Sequence, residues 1–138
     1  MNRIQCKLSK GWRMPAGAVY VGRPSKWGNP FSIEDAMRLA HTEDEEIARM
    51  MAVELFRNWL DGKMPYFLPE RSAWIRAHYI ELRGHDLVCW CPLLHADGYA
   101  AYCHADVLIE WARGKESIMT EAETASAWQA IAGGVGAV

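Results

Sequence analysis

The stretch that decides the fold is Asp86-Leu-Val-Cys-Trp-Cys-Pro92, followed by Tyr102-Cys-His-Ala-Asp106. Its apolar start is typical of a short buried strand, which delivers Cys89 and Cys91 to its carboxyl end. A loop then returns Cys103 and His104 to the start of a helix. Because three of the four cysteines in the chain lie in this segment, we expect it to form part of a functional site.

A second constrained stretch lies upstream and reads Val19-Tyr-Val-Gly-Arg-Pro-Ser-Lys-Trp-Gly-Asn-Pro-Phe31. It begins as a short apolar run over residues 18–21, which predicts another buried strand. After Gly22 the prolines and glycines exclude a regular helix, so the next nine residues should form a shaped loop.

The remaining patterns predict one more strand, over residues 3–8, and several helices. Helices are expected after Ser32, over residues 43–61, 70–83 and 104–113, and we expect the second of these to bury a stripe formed by Ile47, Met51, Leu55 and Trp59. The predicted fold is an α/β, small Rossmann-like three-layer domain with a short, mostly parallel sheet and about four to five helices. Residues 1–114 should form this single domain, and residues 115–138 a C-terminal helical extension and loose tail.

The order of these elements places the two constrained loops together. A crossover through helices favours parallel pairing between the second and third strands. In such sheets ligands bind outside the carboxyl ends of the strands. The loops 22–31 and 92–103 both leave from carboxyl ends, so we expect them to form one pocket.

Length and charge limit the classes of function. A chain of 138 residues fits one compact domain, and its net charge of −2 does not indicate nucleic-acid binding. Residues 1–26 contain Lys and Arg but no Asp or Glu, which suits a phosphate-bearing ligand as well as a solvated strand edge. The sequence has no membrane-length apolar run and no signal-peptide pattern, so we expect a cytoplasmic protein with reduced cysteines and no membrane partner.

The first loop carries residue types that suit a phosphate or nucleoside. Gly22 permits close approach of a ligand, and Arg23 and Lys26 offer positive charge, with Ser25 between them. Trp27 could stack on a base and Asn29 could bind its edge or a ribose. The alternative is a rigid structural turn in which Trp27 covers the core.

The second loop carries candidate catalytic residues. Cys103 precedes a helix, whose dipole favours a thiolate and hence a nucleophile. His104 or His95 could act as its base, and Asp106 could orient one of them. The alternative is that the cysteines are small buried hydrophobic residues, which is the favoured interpretation for Cys89.

Zinc is a further alternative, since Cys89, Cys91, Cys103 and His104 supply the right number and type of ligands. Their spacing matches none of the common zinc motifs, and adjacent Cys and His side chains usually diverge. A metal site is therefore not favoured from the sequence, although zinc remains the one cofactor to consider.

Both constrained stretches resemble the DUF4326 family, small proteins of unknown function that are frequent in bacteriophages and bacteria. The resemblance rests on residues 19–31, 87–91 and 103–108, and it covers residues 18–113. The chain differs from the family pattern at residues 93–102, which look like an insertion between the Cys pairs. A looser similarity links the strand, Cys-His and helix order to the Rossmann-like DUF488 family. Neither resemblance implies a known reaction.

Together these features predict a small nucleotide- or nucleoside-binding protein whose pocket is formed by residues 22–31 and 91–106, with Trp90 and Cys91 among its ligand-binding residues. An enzyme of this kind would act as a hydrolase or glycosyl-transfer enzyme on a glycosidic or phosphate-ester bond. The alternative is a non-enzymatic phage-type effector that docks on a host protein through the acidic helix 43–61 or the tail. The C-terminal segment could also mediate a homodimer.

Overall fold

A three-stranded parallel sheet forms the centre of the computed structural model, which describes residues 1–95 and 97–114. The strands are β1 (Arg3–Gln5), β2 (Val19–Tyr20) and β3 (Leu87–Cys89). β3 lies in the middle and pairs in parallel with both neighbours, so that the sheet order is β1-β3-β2. The predicted parallel pairing of the second and third strands is confirmed.

Four α-helices surround this sheet in the described part of the chain: α1 (Ile33–Ala40), α2 (Glu45–Leu60), α3 (Pro69–His78) and α4 (His104–Arg113). A short 3₁₀ turn, Tyr79–Leu82, follows α3. The predicted small α/β fold is confirmed, whereas the predicted helical extension over residues 115–138 lies outside the described residues. None of the described helices is both long and apolar enough to cross a membrane.

The boundaries of several elements differ from the sequence prediction. β1 ends at Gln5 and Leu8 is 91% exposed. The strand is therefore shorter than the alternating apolar pattern over residues 3–8 predicted. The helix predicted over residues 70–83 tightens into the 3₁₀ turn for its last residues. α2 begins at Glu45 because Asp44 caps it, accepting a hydrogen bond from the Glu46 N–H at 2.9 Å.

The buried face of α2 also differs from the predicted stripe. Of the predicted stripe, Trp59 is buried and Met51 and Leu55 pack against the core, whereas Ile47 is half exposed. The most buried residues of the helix also include Ala48, Ala52 and Phe56. Ala48 and Ala52 pack against Ala36 of α1. These short side chains allow the two helices to lie close together, and this packing rotates the larger Ile47 to the surface.

Arg3, the first residue of β1, connects the sheet to the segment that carries the cysteines. The Arg3 side chain is only 7% exposed. Its guanidinium donates hydrogen bonds to the carbonyls of Cys91 (3.3 Å), Pro92 (3.1 Å) and Ala101. Its Nε lies 3.4 Å from a carboxylate oxygen of Asp106 in α4. Burial alone would lower the pKa of Arg3, but Asp106 and the nearby thiols outweigh it and raise this pKa.

The segment over residues 93–102 closes on itself. Leu94 and Ala100 form an antiparallel bridge, and the Ala101 N–H donates to the Leu93 carbonyl at 2.9 Å. A further hydrogen bond joins the His95 N–H to the Tyr99 carbonyl at 2.8 Å. The chain therefore leaves and re-enters this hairpin at nearly the same place, and the extra residues do not separate Cys91 from Cys103.

We expect Arg3→Met to lower the free energy of unfolding by about 2–4 kcal/mol, because it leaves three carbonyls and a carboxylate without their buried cation. Urea denaturation followed by tryptophan fluorescence measures this loss. Arg13→Met, which removes an exposed arginine, is the matched control and should change stability by less than about 0.5 kcal/mol. Equal stability of the two variants would contradict the anchoring role of Arg3.

Candidate functional site

A cavity of about 270 Å³ lies at the carboxyl edge of the sheet, where β2 and β3 end. The loop after β2 and the segment after β3 both line it, as the topology predicts. α2 forms the remaining wall with Arg49, Ala52 and Val53. The residues that the sequence had singled out and that line the cavity are Gly22, Arg23, Asn29, Cys89, Trp90, Cys91, Cys103 and His104.

Arg23 and Asn29 give the first loop its shape. The Arg23 guanidinium donates to the carbonyls of Asn29 (2.9 Å) and Phe31 (3.1 Å). The Asn29 side chain is buried, donates to the Ala52 carbonyl at 3.0 Å and accepts from the Phe31 N–H at 2.9 Å. Asn29 therefore ties the loop to α2, and its amide hydrogen bonds are used within the protein.

Gly22 is required by a protein contact. A Cβ atom at this position would lie 2.6 Å from the hydroxyl oxygen of Tyr20, which donates a hydrogen bond to the Arg23 carbonyl at 2.7 Å. The close approach that the sequence suggested for a ligand is made here by the tyrosine ring.

Three residues predicted for the ligand site lie outside the cavity. Trp27 is 8% exposed and packs edge-on against Trp74 at 4.8 Å between ring centroids, as in the alternative of a structural turn. Lys26 Nζ lies 5.1 Å from the centroid of the same Trp74 ring. Ser25 Oγ donates to the Gly22 carbonyl at 2.5 Å and closes the turn.

The sulfur atoms of Cys89, Cys91 and Cys103 form a cluster, defined here as the thiol cluster, in which all three lie within 4.8 Å of one another. Cys89 is the last residue of β3, and Cys91 follows two residues later, where its sulfur lies on the same side as that of Cys89. Cys103 caps α4 with an extended backbone (φ −143°, ψ 157°), which directs its sulfur to 3.2 Å from that of Cys89.

His104 faces the thiol cluster, although adjacent Cys and His side chains were expected to diverge. Its Nδ1 lies 3.3 Å from Cys103 Sγ, and its Nε2 lies 2.7 Å from the Val21 carbonyl oxygen. A carbonyl can only accept a hydrogen bond, so Nε2 carries the proton and Nδ1 presents a lone pair. Burial lowers the pKa of His104, which keeps this ring neutral.

The thiol with the lowest pKa is Cys91, whereas the sequence indicated Cys103. Hydrogen bonds from Cys103 and Cys89, with the charges of Arg49 and Arg3, lower the pKa of Cys91 to about 3. The pKa of Cys103 is raised, first by its hydrogen bonds to Cys89 and Cys91 and then by burial. The helix dipole is therefore outweighed, because the shared protons of the cluster reside on its more buried members.

Asp106 and His95 take positions away from the cavity. Asp106 accepts a hydrogen bond from the Cys103 N–H at 2.9 Å, and this bond completes a capping box at the start of α4. The same carboxylate pairs with Arg3. His95 lies in the hairpin, with Nδ1 3.5 Å from a carboxylate oxygen of Glu46. Neither residue lines the cavity.

Arg49 is a cavity residue that sequence reasoning missed. Its Nε is buried and has no hydrogen-bond acceptor among the described residues, and its charge acts on Cys91. Two features of the sequence could have indicated Arg49. It lies three residues before Ala52, next to the buried face of α2, and it is a basic residue in an otherwise acidic segment. A buried N–H without an acceptor is costly, and the positive charge of Arg49 at the cavity suits an anionic ligand.

The fold and site define a small parallel α/β protein with a thiol-lined cavity at the carboxyl edge of its sheet. Residues 4–114 match the family model described as a domain of unknown function, DUF4326. The chain therefore belongs to the DUF4326 family. Neither a curated protein nor a solved structure matches it.

Alkylation of the metal-free protein with iodoacetamide at pH 5 should modify Cys91 first. The pKa of Cys91 is lowered well below that of an ordinary thiol, whereas a thiol with a pKa near 8.5 is ionised to less than about one part in 1,000 at pH 5. Peptide mass spectrometry identifies the modified residue, and Cys91→Ser should abolish the reaction. Preferential labelling of Cys103 at this pH would contradict the assignment.

Proposed function

We propose that the protein binds a nucleotide- or nucleoside-like anion in the cavity at the carboxyl edge of the sheet. The observation that carries this proposal is Arg49, whose buried Nε lacks a hydrogen-bond acceptor among the described residues and which lines the cavity. A phosphate group in the cavity would pair with the Arg49 guanidinium through charge-assisted hydrogen bonds. The second guanidinium at the cavity, that of Arg23, adds positive charge there.

The size and lining of the cavity support one nucleoside-sized ligand. Its volume of about 270 Å³ lies just below the range of about 300–1,000 Å³ for small-molecule sites, which disfavours a dinucleotide. Trp90 is 49% exposed at the cavity, so its ring offers a stacking surface for a base. Phe31 and Val53 supply apolar contacts for the sugar or base.

The proposal extends to chemistry on a glycosidic or phosphate-ester bond of the ligand. The cavity carries thiols and a neutral imidazole, whereas Asp106 holds Arg3 and the start of α4. In this proposal Asp106 is a positioning residue, and any catalytic residue comes from the groups that face the cavity. The thiols must stay reduced for this role, which is consistent with a cytoplasmic location.

A second candidate function is docking on a host protein, in a bacterial or phage-infected cell, without catalysis. It is favoured by four exposed hydrophobic residues within or next to the hairpin: Leu93, Leu94, Tyr99 and Tyr102. Such a patch is typical of an interaction surface. Under this alternative the cavity is a structural feature, and variants of Arg23 or Cys103 that still fold keep their partner.

We expect Arg49→Gln to weaken binding of a nucleoside monophosphate by about 10- to 100-fold, since a charge-assisted hydrogen bond contributes about 1.5–3 kcal/mol. Isothermal titration calorimetry of the full chain with nucleosides, nucleoside monophosphates, ribose 5-phosphate and inorganic phosphate measures this effect. Release of free base or phosphate is assayed in the same samples.

The matched control is Arg38→Gln, which removes an exposed arginine from α1 and should leave binding unchanged. Wild-type protein that binds none of these ligands would refute the nucleotide proposal and favour the docking alternative. Equal binding by Arg49→Gln and wild type would refute the role of Arg49.

A further inference from the structure

We infer that the thiol cluster and His104 form a binding site for a divalent metal ion of the zinc class. The ligands are the Sγ atoms of Cys89, Cys91 and Cys103 together with Nδ1 of His104. Zinc prefers four nitrogen and sulfur ligands in a tetrahedron, and three cysteines with one histidine are a frequent set in structural sites. This inference does not depend on the proposed nucleotide ligand.

The distances between the three sulfur atoms fit a shared ion after small side-chain movements, and the His104 ring would have to approach the sulfurs of Cys89 and Cys91 to complete the set. With Zn–S bonds of about 2.3 Å, a tetrahedron places two sulfurs about 3.8 Å apart and a sulfur and a nitrogen about 3.6 Å apart. The Cys89 and Cys103 sulfurs lie 3.2 Å apart, and the third sulfur lies within 4.8 Å of both. Nδ1 of His104 lies 3.3 Å from Cys103 Sγ.

The orientation of His104 is that of a metal ligand. Metal-binding histidines usually donate their other ring N–H to a carbonyl or carboxylate, which fixes the tautomer. Nε2 of His104 makes this contact with the Val21 carbonyl at 2.7 Å, so the Nδ1 lone pair faces the cluster. In the metal-free protein the Cys103 thiol can donate a hydrogen bond to this lone pair, whereas a bound metal would replace the thiol proton. A bound cation would satisfy both groups.

The surrounding charges also fit a metal centre. A divalent ion with three thiolates and a neutral histidine carries a net charge of −1. Arg3 acts electrostatically on Cys89 and Cys103, and Arg49 acts on Cys91, so positive charge faces the cluster from two sides. Binding forms three metal–sulfur bonds and one metal–nitrogen bond, releases the remaining thiol protons to solvent and requires no oxidant or reductant.

The test is a zinc titration of the full chain after chelator treatment under reducing conditions, with a chromophoric chelator as competitor. We expect one zinc ion per chain. Cys103→Ser and Cys91→Ser should each lower the affinity at least about 100-fold, and His104→Gln at least about 10-fold. Cys6→Ser is the matched control, because Cys6 is the one cysteine outside the thiol cluster, and it should bind zinc like the wild type.

A measurement on the wild type alone guards against variants that do not fold. Zinc should protect Cys91, the half-buried thiol of the cluster, from alkylation, while Cys6 remains reactive. A folded wild type that binds no zinc, or in which zinc leaves Cys91 as reactive as before, overturns the inference. Zinc binding without nucleotide binding would refute the proposed function and leave the metal site standing.

Discussion

The buried guanidinium of Arg3 is the interaction on which the site depends. A charge at this position is tolerated only because Asp106 and three carbonyls surround it. Those partners come from the segment after β3, from the end of the hairpin and from the first turn of α4. By satisfying one cation, the chain fixes the relative positions of Cys91 and Cys103, and with them the wall of the cavity.

A second layer of polar contacts sets the opposite wall. Asn29 joins the loop after β2 to α2, and Arg23 holds two carbonyls of the same loop. Arg71 of α3 donates to the Gly28 carbonyl at 2.7 Å from the outside. The loop is therefore held by side chains rather than by regular secondary structure, which explains why a stretch rich in proline and glycine can form a stable wall.

Topology was the part of the site that could be predicted from sequence. Parallel strands place their carboxyl ends together, so the meeting of Gly22 and Arg23 with the cysteines followed from the order of the elements. The local pattern of residues did not show which side chains of the loop face the cavity and which face the core. Trp27 faces the core and packs on Trp74. The roles of Arg3 and Arg49, and the low pKa of Cys91, arise from contacts between residues distant in sequence, which no local spacing reveals.

The hairpin that begins at Leu93 has a consequence for how this chain can be modified. The two arms of the hairpin are hydrogen-bonded at its base, where the Ala101 N–H donates to the Leu93 carbonyl. The number of residues in the hairpin therefore does not affect the positions of Cys91 and Cys103. Variants of this chain with a shorter or longer segment should keep the same cysteine arrangement. The same independence makes its tip a place to graft a fluorophore or an epitope that reports on the neighbouring chemistry without perturbing it.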